Sequence, residues 1–251
     1  MSATGEKITR RGILASPSLL PAALAGQAGG TPLRVVVAGG HPDDPESACG
    51  GTIARLTDLG HKVTSLYLTR GETGITGKSK AETAAIRSAE AARACEILKA
   101  KPVFAGQVNG STEVNSARYE EFGKVLLSEQ PDIVFTHWPI DTHRDHRVVS
   151  LLVYDVWLRE RKRFDLYYFE VMSGSQTQVF QPTHYVDITA TEGRKRAACM
   201  AHASQKPEEF YAHHDAMNRF RGLEYGCRFA EAFVRHPQSP SPGLAEVMRR
   251  R

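Results

Sequence analysis

The chain has 251 residues, 41% of them hydrophobic and 24% charged, with a formal net charge of +4. That length supports one sizeable core, and the composition excludes a disordered chain, a collagen-like repeat and a multi-span membrane protein. Four cysteines, at positions 49, 95, 199 and 227, show no CxxC spacing, so neither a zinc ribbon nor a disulfide scaffold is indicated.

The first 28 residues carry Lys7, Arg10 and Arg11 against Glu6. A weakly apolar stretch runs to Leu24, interrupted by Pro17 and Pro21, and small residues follow through Ala28. A basic segment, a short apolar run and a small-residue site form an export-signal pattern. The Arg10-Arg11 pair resembles a twin-arginine signal, which is a receptor-read address. Spanning a bilayer takes about 20 apolar residues, more than this run offers. Residues 1–28 are therefore expected to direct export to the periplasm or beyond; without such a signal the protein would be cytoplasmic.

Leu33 to Ala38 is a continuous apolar run that reads as a buried strand entering the Gly39-Gly40 turn. A helix is expected over Ile53–Gly60, a strand over Lys62–Thr69 and a helix over Ser79–Lys99, which is rich in Ala, Glu, Arg and Lys. A short strand at Pro102–Ala105, a helix at Ser116–Glu129 and an apolar strand at Asp132–His137 come next. Beyond them the pattern predicts a helix from His143 to Arg161, strands at Leu166–Met172 and Tyr185–Ile188, and helices at Thr191–Ala203 and Pro207–Phe233. Strands alternating with helices predict an α/β fold: a Rossmann-like, mostly parallel sheet flanked by helices, in a single domain over residues 29–236. Residues 237–251 form a Pro/Ser-rich basic tail, expected to be poorly ordered.

In such sheets ligands bind beyond the carboxyl ends of the strands. Three predicted strand ends carry unusual residues: Gly40-His41-Pro42-Asp43-Asp44, Thr69-Arg70-Gly71-Glu72, and Asp141-Thr142-His143-Arg144-Asp145-His146. His143 and His146 lie three apart at an expected helix start, so both can face one way. A catalytic zinc site takes three N or O ligands and keeps one position open for water. His41, Asp44 and one of the two downstream histidines would supply that set. Asp43 would then be placed to accept a proton, and the other histidine to stabilise or protonate the opposite side of a tetrahedral intermediate. Asp145 could orient one imidazole through its second nitrogen.

The paired motifs His41-Pro42-Asp43-Asp44, with Gly50-Gly51-Thr52, and His143-Arg144-Asp145-His146 resemble those of the PIG-L/LmbE-type zinc-dependent N-deacetylases. The resemblance extends over most of residues 33–236 and includes the Thr69–Glu72 turn, Arg87-Ser88-Ala89-Glu90 and His202-Ala203-Ser204-Gln205. It implies His41, Asp44 and His146 as zinc ligands, Asp43 as general base and His143 as the oxyanion-stabilising or acid histidine. It also implies that Arg87 approaches the substrate, often a sugar hydroxyl. The family usually has Glu directly after the two aspartates; here Pro45 stands there, and Glu46 follows, so any role of that glutamate is lost or moved to Glu46.

These observations predict zinc-dependent hydrolysis of an N-acyl bond, by resemblance an N-acetyl group on a sugar such as N-acetylglucosamine or on a glycoconjugate. A His/Asp ligand set also accommodates iron or another divalent metal. The competing readings are an amidase for another N-acylated small molecule or natural product, and a non-catalytic glycan-binding protein of the same fold.

Other residues have blander expectations. Cys49 is expected to pack in the core, and His202 to be structural. Arg87 and Glu90 are spaced to pair with each other, and Glu72 to cap, to face solvent or to orient a site group. His213-His214-Asp215 is expected at the surface, since adjacent helical residues diverge. No phosphate-binding glycine fingerprint occurs, and nucleic acid has no basic helix or basic-aromatic stripe to bind. Half of the net charge lies in the first 28 residues and half after His236, leaving the intervening residues formally neutral.

Overall fold

The computed structural model describes residues 31–241 and 243–248; the expected export signal lies outside them. Seven strands form one sheet in the order β3-β2-β1-β4-β5-β7-β6. In chain order the elements are β1 (Arg34–Gly39), α1 (Asp44–Asp58), β2 (Lys62–Tyr67), α2 (Lys80–Leu98), β3 (Lys101–Phe104), α3 (Ser116–Ser128), β4 (Ile133–His137), α4 (Arg144–Arg159) and β5 (Asp165–Phe169). They continue with β6 (His184–Asp187), α5 (Glu192–Met200), a 3-10 turn (Ala203–Gln205), α6 (Pro207–Tyr225), β7 (Ala230–Arg235) and a closing turn, α7 (Leu244–Val247). β1 to β5 pair in parallel, and β7 runs antiparallel to both β5 and β6. The fold is thus the expected single-domain α/β sandwich.

Successive side chains of a strand point to opposite faces, so a strand covered on both sides must be apolar throughout. Val35 and Val37 enter one core with Cys49, Ile53 and Leu56 of α1, and with Phe135, Tyr167 and Phe169. Val36 and Ala38 enter the other with Phe122 and Leu126 of α3 and Val149, Leu152, Val153 and Val156 of α4. Cys49 is fully buried there, as expected. Among the described residues no helix is long and apolar enough to cross a membrane.

Three expectations are corrected. The first helix starts at Asp44, not Ile53, with Pro45 in its first turn, where a missing N–H costs nothing. The last long helix stops at Tyr225, where Gly226 adopts φ 85°, and the chain returns as a seventh strand instead of continuing to Phe233. The described residues of the tail, 238–241 and 243–248, are packed, not frayed. Ser241 N–H donates to Asp165 Oδ1 (3.0 Å), Leu244 N–H donates to the Tyr167 hydroxyl (2.7 Å), and Leu244 and Val247 are buried in the first core.

β1 pairs with β2 on one side and β4 on the other, and the order of strands reverses there. Loops leaving β1 and β4 therefore diverge to opposite faces and open a crevice between them. That topology brings His41–Asp44 and Asp141–His146 together across about a hundred residues of chain.

Candidate active site

One oxygen, Asp44 Oδ2, is the centre of the crevice. His41 Nδ1 lies 3.2 Å from it, His137 Nε2 3.2 Å and His146 Nε2 3.3 Å, and the His41 backbone N–H donates to it at 2.8 Å. The second nitrogen of two of these rings meets a further carboxylate. His41 Nε2 is 3.2 Å from Asp145 Oδ2, and His146 Nδ1 is 3.1 Å from Asp141 Oδ1. Asp145 is fully buried and accepts from Gly110 N–H (2.8 Å) and the Thr112 hydroxyl (2.6 Å), so the loop between β3 and α3 holds it. Asp141 accepts from His143 N–H (2.8 Å) and the Thr177 hydroxyl (3.0 Å).

The electrostatics call for a cation. Burial opposes charge on His41, yet its bonds to Asp145 and Asp44 outweigh that and raise its pKa to about 9. Burial likewise opposes charge on His146, and Asp44 and Asp141 raise it to about 10. Asp44 is pushed up by burial but pulled well below the carboxylate range by His146 and His137. Two imidazoles, each gripped on both nitrogens by carboxylates, make a donor set suited to a divalent metal, with the outer carboxylates fixing ring orientation. Two overlapping groups can converge on one ion: His41, His143 and His146, and Asp44, His137 and His146.

Asp43 and His143 flank this centre and line a cavity of about 340 Å³. Burial pushes the Asp43 carboxyl above the usual range, and Asp44 adds to this, while the Arg87 guanidinium pulls the other way. His143 caps α4, its Nδ1 accepting from Asp145 N–H at 3.2 Å, which leaves the ring proton on Nε2. Burial, with His41 and His146 nearby, lowers its pKa and keeps it neutral.

Arg87 sits on α2 in the cavity wall and is 3% exposed. Its Nη2 donates to Asp43 Oδ2 (3.0 Å) and to the Pro42 carbonyl. It does not pair with Glu90, whose carboxylate accepts from Ser204 N–H (2.8 Å) and Ser204 Oγ (2.7 Å). The turn after β2 explains itself here. A Cβ on Gly71, which has φ +67°, would lie 2.2 Å from Arg87 Nη1, so glycine is the residue that lets the guanidinium in. Glu72 braces the neighbouring loop by accepting from Asn109 N–H at 2.9 Å.

All seven sequence-predicted residues therefore meet at one place. Sequence reasoning missed His137, whose ring stacks on His146 at 3.9 Å between centroids, and gave no role to Asp141. It also misplaced His214. His213 is exposed as expected, but His214 is buried, lines the cavity and has an Nδ1 without a partner. The rest of the wall is mixed: Asn109, Gln176 and Gln205 offer amides, and Val171, Met172, Phe210 and Tyr211 offer apolar surface.

A family model described as PIG-L: GlcNAc-PI de-N-acetylase matches residues 35–157. The diacetylchitobiose deacetylase of Thermococcus kodakarensis is 33% identical over 201 residues, covering 74% of this chain and 75% of that protein. The N,N'-diacetylchitobiose deacetylase of Pyrococcus horikoshii superposes with a TM-score of 0.72 at 26% identity, over 81% of this chain and 83% of its own. The 4-carboxy-2-hydroxymuconate hydratase GalB of Pseudomonas putida KT2440 shares the fold, with a TM-score of 0.73 at 21% identity over 84% and 98% of the two chains. The fold thus serves more than one reaction, and the residues at its crevice must decide between them. With a one-third-identical deacetylase covering three-quarters of each sequence, the chain belongs to the PIG-L family of de-N-acetylases.

Proposed function

We propose that this protein is a metal-dependent N-deacetylase that hydrolyses the acetamide of an N-acetylated sugar or glycoconjugate, releasing acetate and the free amine. The observation that carries the reading is the pair of imidazoles, His41 and His146, each held between the shared Asp44 oxygen and a private carboxylate, with Asp43 and His143 on either side. His41, Asp44 and His146 would hold the metal, for which Zn2+ is the first candidate; iron fits the same donor set. Such an ion supplies Lewis acidity, lowering the pKa of water toward neutrality and polarising the amide carbonyl.

The chain's own groups do the rest. Asp43, basic for a carboxylate and open to the cavity, accepts the proton of the attacking water. His143, neutral and carrying its proton on Nε2, donates a hydrogen bond to the carbonyl oxygen as negative charge builds there. Asp43 then returns its proton to the departing amine nitrogen. Arg87 holds Asp43 in place through Oδ2. Asn109, Gln176 and Gln205 suit sugar hydroxyls, and half-exposed Phe210 offers a ring face for a pyranose.

The test is metal analysis of the purified protein together with acetate release from a panel of N-acetyl sugars. Asp43→Ala and His146→Ala are both expected to abolish turnover, and full activity in both would sink the mechanism. The apolar wall of Val171, Met172 and Tyr211 favours a second substrate class, N-acylated natural products, and the same panel extended to them separates the two. Stoichiometric metal and saturable glycan binding without turnover would instead favour a binding protein. Residues 1–28 are proposed to direct export, which mass spectrometry of the mature N-terminus decides.

A further inference from the structure

Asp43 holds a backbone conformation that a non-glycine residue seldom adopts, φ 114° and ψ −28°. Such a residue stays there only when its surroundings over-determine it, and strain of this kind clusters at sites where a side chain must be aimed. Arg87 fixes the side-chain end and the preceding carbonyl. The backbone end is fixed by Glu46, three residues on in the first turn of α1, whose Oε2 accepts from Asp43 N–H at 3.2 Å.

This bond is the reciprocal half of a capping box, in which a glutamate at the third helical position accepts from the N–H of the cap residue, Asp43; here that carboxylate is fully buried. Its Oε1 accepts from the Tyr67 hydroxyl at 2.6 Å, and Tyr67, itself fully buried on β2, is braced against Cys95 Sγ at 3.3 Å. His202 Nε2 lies 3.4 Å from Oε2, and the His202 ring is 1% exposed. A buried carboxylate is costly unless each oxygen is partnered, and here β2, α1 and the segment before the 3-10 turn all contribute to partnering it. The assembly reaches the cavity through the N–H of Asp43 and through His202, which lines it.

The geometry points to Glu46 as a positioning residue of the reaction. Through Asp43 N–H it locks the strained backbone that aims the Asp43 carboxylate into the cavity. This rests on Asp43 acting as the proton acceptor proposed above.

The test compares Glu46→Ala, Glu46→Gln and Tyr67→Phe in the full, metal-loaded chain. Glu46→Ala is expected to lower kcat by about 10- to 100-fold, the loss that goes with a shift of the base of order 1 Å, with KM and metal content unchanged. Glu46→Gln should recover most of it, because its amide oxygen can accept from Asp43 N–H while its NH2 turns to the Tyr67 hydroxyl oxygen. Tyr67→Phe, which frees Oε1 without touching α1, should lower kcat several-fold and carries the comparison should Glu46→Ala not fold. A purely structural Glu46 would lower stability and leave the turnover of the folded, metal-loaded enzyme at the parental value. Crystal structures of the variants give a readout that needs no activity: in Glu46→Ala, Asp43 is expected to leave the positive-φ region. Parental kcat in both Glu46→Ala and Tyr67→Phe, or an Asp43 unmoved in the variants, overturns the inference. If the parent releases no acetate, the deacetylase reading falls, and the Asp43 backbone alone decides what Glu46 does.

Discussion

Asp145 offers the sharpest test of the metal centre, because it touches no proposed substrate and acts only through His41. Its carboxylate meets His41 Nε2 at 3.2 Å and Gly110 N–H at 2.8 Å through one oxygen, and the Thr112 hydroxyl at 2.6 Å through the other. Asp145→Ala removes all three contacts and frees the His41 ring to rotate. Loss of a carboxylate behind a ligating histidine weakens metal binding by about 10- to 100-fold, roughly 1.4–2.8 kcal/mol. The buried Thr112 hydroxyl, left without its acceptor, adds a stability cost of about 1–3 kcal/mol. Asp145→Asn is predicted to be milder. Its amide oxygen can face His41 and Gly110 while its NH2 faces Thr112 Oγ1, which accepts by rotating its own hydroxyl. Only the charge is lost, so affinity should fall by about tenfold, the lower end of that range. Competition against a chromophoric chelator measures the affinity, and denaturant unfolding of the metal-free protein measures the stability cost separately. Parental affinity in Asp145→Ala would refute the claim that Asp145 holds His41 for a metal, and equal losses in the two variants would show that charge, not bonding geometry, carries the effect.

Other consequences follow from the same structure. Glu231→Leu strands the buried Lys195 ammonium and removes the acceptor of Gly51 and Thr52 N–H, so unfolding should show a loss of about 3–5 kcal/mol. The double variant Lys195→Met/Glu231→Leu should lose less than this single one, because no charge is left unpaired. Gly71→Ala is expected to drive Arg87 off Asp43 and to cut kcat by at least about tenfold, since the new methyl would sit 2.2 Å from Nη1. His214 gives a pH signature. Burial, with Lys195 adding, lowers its pKa from 6.5 to about 4, so below pH 6.5 the unfolded chain takes up a proton that the folded one refuses. Its contribution is thus intact above pH 6.5 and lost as pH falls toward 4, by roughly 3 kcal/mol in all. Thermal melts at pH 7 and pH 5 should show a smaller acid-induced drop in His214→Gln than in the parent.

What could be read from the residues alone was local or periodic. Val35–Ala38 had to be buried on both faces, and the histidine and aspartate clusters had to lie at strand ends, because the pattern of apolar runs fixes where strands stop. What was missed depends on partners distant in the chain. Ala230–Arg235 opens on Ala-Glu-Ala, good helix formers, and becomes a strand because β5 and β6 offer edges to it and Phe233 and Val234 suit them. The tail orders because Asp165 and Tyr167 hold it. His137 closes an apolar strand and reads as its last residue until Asp44 is seen beside it. His213 and His214 had to point different ways, as helix geometry demands, but only packing against Lys195 and the cavity decides which one is buried. A signal for Asp141 was present: an acid two residues before a helix-capping histidine and five before His146.

The opening helix explains why this crevice suits a cation in a fold whose strand ends so often bind phosphates. In nucleotide-binding relatives of this architecture a glycine-rich turn exposes helix N–H groups, and the positive end of the helix attracts an external anion. Here the same position after β1 is filled by the chain's own carboxylates: Asp44 and Glu46 lie in the first turn of α1, with Asp43 at its cap. After β4, Asp145 occupies the first turn of α4, capped by His143. Asp44 and Asp145 are held ionised there against the cost of burial, their carboxyls pulled below the usual range by the histidines beside them, so the crevice presents negative charge where a phosphate would otherwise sit. Three aspartates, 44, 141 and 145, then set their carboxylates against the rings of His41 and His146, a local deficit of positive charge, while the fourth, Asp43, pairs with Arg87. The deficit is why both imidazoles are driven toward protonation in the protein alone. A divalent ion would satisfy that deficit at one point and leave the rings neutral, as ligands must be. The sequence signature of this inversion is a strand followed by His-Pro-Asp-Asp in place of a glycine-rich turn.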